Sequence, residues 1–251
     1  MNITGEAVTF TGENGSLYQP VYGSDDDLVL YLPFSENLIN ISNTTYDRSP
    51  YGNDGVLSGM NQDGRINESA WVKGKYGYAM GFEEADSRIT VTHPSDGSMD
   101  FGNGSVTISY WFKCHKTDDC AAASNDGWNV YKRHGSTDQG FSTYVKNAGT
   151  VSCNFDDGSD SKTITTTETF GDTAWHHAVC LLDVETDTSR LYIDGIERIT
   201  GDASSIDVGI TTSTDLIMAD RSSEHFLGTM DEVMVYKRAL TAEEIRTHYL
   251  R

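Results

Sequence analysis

Two carboxylates stand side by side at Asp231 and Glu232, inside GTMDEVMVYKRALTAEEI (228–245), where the branched and apolar residues otherwise read as a buried strand. At a period of two, Asp231, Val233 and Val235 share one face and Met230, Glu232, Met234 and Tyr236 the other. Each face then carries one acid among apolar neighbours. A buried carboxylate needs a cation or several donors, because in isolation it is costly or takes up a proton. Calcium is one answer, since it accepts roughly six to eight oxygen ligands in loose geometry from segments far apart in sequence. A salt bridge to Arg88 or Lys237, or capping of backbone amides, is the other. The loop TTYDRSPYGND supplies further oxygen ligands at Asp47, Asn53 and Asp54, around Pro50 and Gly52. It lacks the D-x-D-x-D-G spacing of an EF-hand, so spacing alone does not define a calcium site.

A second chemistry lies in SNDGWNVYKRHG (124–135), which brings together Asn125, Asp126, Trp128, Tyr131 and Arg133. Aromatic faces hold sugar rings, while Asp, Asn and Arg meet the hydroxyls. Tyr144 and the loop ADRSSEH (219–225), with Asp220 and Arg221, add residues of the same kind. The competing assignment for Trp128 and Tyr131 is sandwich core. His176 and His177 follow Trp175 at a strand start and point in opposite directions, so they read as a hydrogen-bonded or half-buried pair rather than ligands of one metal. His134 and His225 read as surface loop residues, and no G-x-S-x-G elbow is present.

The elements that must position these groups are strands. Alternation recurs at 28–34, 87–92, 105–114, 128–133, 141–146, 174–183, 189–195 and 215–219, separated by turn signals such as Asn53-Asp54-Gly55 and Asp157-Gly158. Asp194-Gly195 predicts a two-residue hairpin. The one helix predicted is the last segment, where Thr241 and Glu244 form a capping box ahead of Ile245, Tyr249 and Leu250. The fold class is therefore all-β, an antiparallel two-sheet sandwich with one short C-terminal helix. Residues 1–26 read as a linker or added edge hairpin and 27–251 as one domain, a length that buries a core without staples.

In chain order, LVLYLPFSEN, DRSPYGNDGVLSG, GKYGYAMGFEEADSRITVTH, GSVTISYWFK, AWHHAVCLLDVETDTSRLYIDGIE and FLGTMDEVMVYKRALTAEEIRTHYL resemble the laminin-G-like, concanavalin A-like jelly-roll family. The resemblance covers roughly residues 28–251. It implies two curved antiparallel sheets, often one structural calcium, and binding of glycans or proteins. It also implies that an ion clips the early loop to the last strand, which places Asp47 and Asp231 in that role, with Asn53 and Asp54. Glucanases on this sandwich present an E-x-D-x-x-E strand. None occurs here, and the acid runs EEADS, LDVETD and MDEV sit beside turns or split their carboxylates between faces, so catalysis is not expected.

The expected function is a non-catalytic carbohydrate-binding module with a structural calcium. The alternatives are a structural or adhesion domain that binds protein or itself, and a polysaccharide hydrolase or lyase. A solvent-facing Trp128 would mark the first, residues 1–26 paired with another chain the second, and two carboxylates on one concave face the third. A formal charge of −20, from 38 acidic and 18 basic residues, excludes the electrostatic footprint of a nucleic-acid or anionic-membrane binder. No apolar run predicts membrane insertion, and MNITGEAVTF has no signal-peptide pattern. Cys114 and Cys120 could close a short loop and Cys153 and Cys180 could bridge neighbouring strands, although other pairings, or free thiols, stay open. Six N-x-S/T sequons, at Asn2, Asn14, Asn40, Asn43, Asn67 and Asn103, exceed the roughly two to three expected by chance and favour an extracellular, N-glycosylated chain.

Overall fold

The structure is a computed structural model that describes residues 25–35, 43–60, 70–83, 86–117, 120–122, 126–207, 209–221 and 224–251. Of residues 1–26, read above as a linker or added edge hairpin, 1–24 lie outside the described residues, as does Asn125. In chain order the strands are β1 (Leu28–Leu32), β2 (Thr44–Thr45), β3 (Gly55–Ser58), β4 (Trp71–Lys73), β5 (Tyr78–Phe82), β6 (Arg88–Val91) and β7 (Val106–Cys114). Then come β8 (Ala121–Ala122), β9 (Asp126–Arg133), β10 (Gly140–Lys146), β11 (Val151–Asp156), β12 (Ser161–Thr165) and β13 (His176–Asp183). The last are β14 (Thr188–Ile193), β15 (Ile196–Asp202), β16 (Leu216–Met218), β17 (Asp220–Arg221), β18 (Glu224–Phe226) and β19 (Gly228–Tyr236), followed by helix α1 (Ala242–Leu250).

One eight-stranded sheet runs β15-β14-β13-β7-β19-β5-β4, with β1 also paired to β19. A second runs β12-β11-β10-β9-β16-β6-β3-β2, and β17-β18-β8 form a small third sheet. All pairings are antiparallel. Between the two large sheets lies the main core, in which Leu30, Ile108, Tyr110 and Phe112 of the first sheet meet Val130, Phe141, Val145 and Phe155 of the second. The Cys153–Cys180 disulfide crosses this core from β11 to β13, and so joins the sheets rather than neighbouring strands of one sheet; Cys114–Cys120 closes a six-residue step. The first sheet also buries its outer face: Tyr31, Val179, Leu181, Tyr192, Met234 and Tyr236 pack under Leu240 and Ile245. That covering is α1 and the residue just before its cap, and the Thr241–Glu244 capping box is complete. The Asp194-Gly195 turn has positive φ at both residues (55° and 72°), as a type I′ hairpin requires.

Of four register shifts among the described strand pairs, two β-bulges reposition the candidate residues. In β19, Asp231 opposes Trp111 but the next partner, Ser109, opposes Met234, so β19 carries an extra residue. Glu232 takes it up with φ at 52°, a left-handed conformation rare for a side chain with a Cβ. Met230, Val233 and Val235 therefore all enter the core, while Asp231 and Glu232 end on the same outer face as Met234 and Tyr236. This corrects the expectation of one acid per face. In β9, Val130 opposes Thr143 and Trp128 opposes Tyr144, so one extra residue lies between them. Trp128 and Tyr131, three apart and nominally on opposite faces, thus both face away from the core that holds Val130.

Candidate functional site

The β9 bulge builds an aromatic cluster on the outer face of the second sheet. Trp128 lies against Tyr144 at 4.7 Å between ring centroids and meets Tyr131 edge-on at 6.2 Å. The Arg221 guanidinium covers the indole from β17, 4.4 Å from the ring centre, a cation–π arrangement. Glu224 of β18 accepts the indole N–H at 2.8 Å and also approaches Arg221 at 3.4 Å. Asp138, in the left-handed turn before β10, lies 3.4 Å from Arg133 and 3.7 Å from Arg221, and so bridges the two guanidiniums. Arg133 also reaches Asp156, and Asp220 pairs with Arg88 at 3.0 Å. Asp126 opposes Lys146 across β9 and β10. Burial raises the Asp126 pKa, Lys146 and Arg221 pull it down, and the Glu224 charge pushes it up. Burial likewise raises the Tyr131 and Tyr144 hydroxyls.

Asp126, Trp128, Tyr131, Arg133, Tyr144, Asp220 and Arg221 are thus gathered into one neighbourhood. Trp128 is neither in the core nor solvent-facing: it is 5% exposed, roofed by Arg221 and Glu224. Gly127 makes the close packing possible, because a Cβ there would lie 2.2 Å from the Cys120 carbonyl oxygen. Sequence reading missed Glu224, Asp138 and Asp156. Glu224 lay inside the loop already singled out, but only the β17–β18 pairing of Arg221 with Glu224 turns it toward the indole.

A second group surrounds the acids of β19. Asp231 is fully buried and accepts backbone N–H bonds from Tyr76 (3.0 Å) and Glu232 (2.9 Å), with the Lys75 amide also contributing. Glu232 accepts the Tyr31 hydroxyl at 2.8 Å and lies 3.4 Å from Arg251. Arg88 and Lys237, the cations considered from sequence, are elsewhere: Arg88 on Asp220, and Lys237 toward the Gly97 carbonyl. Burial pushes Asp231 up to about 8, against the amide donors, and Glu232 up to about 7, against the Tyr31 bond. Beside them Ser109 Oγ lies 2.9 Å from His177 Nε2, and His177 Nδ1 is buried without a hydrogen bond. Burial and the neighbouring His248 push His177 down to about 3, so it is neutral. Tyr76, Ser109, Trp111, His177, Glu232, Met234, His248 and Arg251 line a small, partly open cavity of about 10 Å³. That admits about one water molecule and no sugar ring. His176 is held between Asp172 (3.1 Å) and Asp194 (2.9 Å), a half-buried pair partner rather than a ligand.

The loop at Asp47 is organised by hydrogen bonds. Its carboxylate accepts the amides of Tyr31 and Ser49 (2.8 Å each) and Asn53 (2.7 Å), plus the Ser49 hydroxyl. Asp54 caps the Asp47 amide, and the Asn53 side chain donates to the Val29 carbonyl, clipping the loop onto β1. These donors occupy the oxygens that a calcium shell would need, so the residues as placed do not fit a shared ion at Asp47 and Asp231. Among the described residues, no three His, Cys, Asp or Glu side chains gather where they could hold a metal.

Comparison with known proteins places the frame. The structure resembles the binding domain of paraclostridial mosquitocidal protein 1 (18% identity, TM-score 0.68, 89% of this chain and 52% of that one). It also resembles the binding domain of botulinum neurotoxin DC, solved in complex with rat synaptotagmin II (14%, 0.65, 91% and 52%) and with SialylT (13%, 0.65, 91% and 52%). This chain spans about half the length of those domains, and at such identities the likeness shows the fold alone. No curated protein matches the sequence. Laminin_G_3, of the concanavalin A-like lectin/glucanases superfamily, matches residues 83–246, from the end of β5 through most of α1. On that match and the antiparallel sandwich that carries it, the chain belongs to the Laminin_G_3 family of the concanavalin A-like lectin/glucanases superfamily.

Proposed function

We propose that the protein is a non-catalytic carbohydrate-binding module whose glycan site is the outer face of β9 and β10, roofed by Arg221. One observation carries this reading: a bulge sets Trp128, Tyr131 and Tyr144 together on a face outside the core, among Arg and acid side chains from four separate segments. Trp128 is not the solvent-facing ring that the sequence reading asked for: it and Tyr144 are covered, so the ring contact falls to the half-buried Tyr131, while the surrounding acids and guanidiniums match hydroxyl donors and acceptors. The ligand meets Arg221, Glu224, Asp138 and the partly exposed edge of Tyr131, with Trp128 as their rigid backing. Binding to SialylT by a domain of the same fold supports a glycan ligand in general. Against hydrolysis stands the burial of Asp231 and Glu232, which share a face but have room beside them for about one water.

The synaptotagmin II complex of a similar domain favours protein binding as a second reading. For the setting we infer an extracellular one. Two disulfides suit an oxidising compartment, and Asn43 and Asn103, the sequon asparagines among the described residues, are both exposed. Among the described residues no helix is long and apolar enough to cross a membrane. Hydrogen bonds rather than calcium hold the Asp47 loop and the β19 acids in this account.

The test is calorimetric titration of the protein with a panel of oligosaccharides and polysaccharides. Saturable binding to one class, lost in Tyr131→Ala and Arg221→Ala while their melting stays cooperative, is the expected result. Binding that survives both substitutions would move the site elsewhere.

A further inference from the structure

Resting on the glycan reading above, we infer that this site selects neutral, hydroxyl-bearing sugar rings and discriminates against glycans carrying carboxylate or sulfate. An anionic group is captured by a guanidinium or ammonium with donors to spare, ideally in a bidentate fork. Every guanidinium here is already committed. Arg133 donates from Nε to the Asp138 carbonyl at 2.8 Å and faces the carboxylates of Asp138 and Asp156, both at 3.4 Å. Arg221 sits over Trp128, 4.4 Å from the ring centre, and lies between Glu224 and Asp138, and Arg88 is bound to Asp220. Lys146, opposite Asp126 in the β9–β10 register and 6.0 Å from the Tyr144 ring centre, forms no close ion pair among the described residues, and the Asp126 charge is what offsets its attraction for an anion.

Asp126, Asp138, Asp156, Asp220 and Glu224 therefore outnumber Arg88, Arg133, Arg221 and Lys146 by one negative charge. An incoming anion would have to displace a carboxylate and then share the site with it. A neutral ring has the opposite fit, since its hydroxyls donate to carboxylate oxygens that guanidiniums hold in place. Asp220 is buried between Arg88 and His225 Nδ1, 2.9 Å from its Oδ1, so the carboxylates that a ring can reach are those of Asp138 and Glu224, whose side chains are 56% and 30% exposed. The formal charge of −20 adds a repulsive field for anions that weakens with salt.

The experiment compares two matched pairs by calorimetry, lactose against 3′-sialyllactose and dextran against dextran sulfate, at low and moderate salt. The expected result is binding of a neutral member, with its anionic counterpart at least about tenfold weaker and the gap narrowing as salt rises. Glu224→Gln keeps the acceptor for the Trp128 indole but frees the Arg221 guanidinium, so it should improve binding of the anionic counterpart severalfold, an effect that a purely structural role for Glu224 would not produce. An anionic member that binds as tightly as its neutral partner, with binding still lost in Tyr131→Ala, overturns this inference and leaves the glycan reading standing. Binding indifferent to Tyr131→Ala and Arg221→Ala, or none by any of the four probes, overturns the glycan reading and this inference with it.

Discussion

Glu232→Gln should remove part, roughly a third to a half, of a pH dependence that the buried acids impose on stability, because burial, the larger cause of the Asp231 shift, stays in place. Asp231 and Glu232 have folded pKa values of about 8 and about 7, well above the ordinary carboxylate values they recover on unfolding. The folded chain therefore holds protons that the unfolded chain has released. Their contribution is fully present only below the unfolded carboxylate values of about 4, declines as pH rises above them, and is gone once pH has passed the folded values of about 7 and 8. Integrated between about pH 6.5 and 8.5, the pair accounts for roughly 2–3 kcal/mol, or roughly 5–10 °C in melting temperature for a chain of this size. The window avoids His177, whose burial matters only below about 6.5, where the unfolded imidazole takes up a proton. His176 and Lys132 titrate nearby but contribute equally to both proteins. Gln at 232 keeps an acceptor for the Tyr31 hydroxyl, loses its own proton and relieves the charge that pushes Asp231 up. Urea unfolding of the native protein and Glu232→Gln at three pH values, in chelator, measures the difference. If the native protein gains stability relative to the variant between pH 6.5 and 8.5, both acids are ionised and held by a cation, and the argument from burial is wrong.

Chelator should leave the melting temperature unchanged, because amides and hydroxyls already occupy Asp47 and Asp231; a fall reversed by added calcium would restore the ion expected from sequence. Lys132 is fully buried, with its ammonium on the Thr212 and Thr214 carbonyls and His93 Nδ1, and burial lowers its pKa to about 8. Lys132→Met should cost about 3 kcal/mol in urea unfolding at pH 7, since it strands those acceptors; a neutral outcome would show that water replaces the ammonium. Cutting Cys153–Cys180 by Cys→Ala substitution at both positions should cost about 3–4 kcal/mol for a loop of this length, read from the same unfolding curves, and no change would mean that the core alone aligns the sheets.

Most of the frame was legible because it obeys a period of two. The eight alternating segments are all strands, Asp194-Gly195 is the hairpin and Thr241–Glu244 the cap. β11 was passed over although VSCNFD alternates strictly: Val151, Cys153 and Phe155 enter the core, and Ser152, Asn154 and Asp156 take the other face, where they too are buried. The two functional regions were misread where a bulge inserts a residue. Nothing local marks Glu232 as the left-handed residue, and strict alternation divides Asp231 from Glu232 and Trp128 from Tyr131. The residues of the aromatic cluster were chosen by type, but the roof over Trp128 depends on the fold of β17 and β18 back against β9, a long-range pairing that residue type does not announce. The calcium expectation joined the paired acids of β19 to the family resemblance; the backbone amides that meet the Asp47 carboxylate leave no trace in side-chain chemistry, so the sequence did not announce them.

The Trp128 indole offers the most direct measurement of the central claim. In a ¹H–¹⁵N spectrum titrated with the best-binding neutral oligosaccharide, the indole N–H of Trp128, now bonded to Glu224, should shift with saturation, together with amides of β9, β10 and Asp220–Arg221. Shifts confined to α1 and the cavity by Glu232, with the Trp128 indole unmoved, would contradict it.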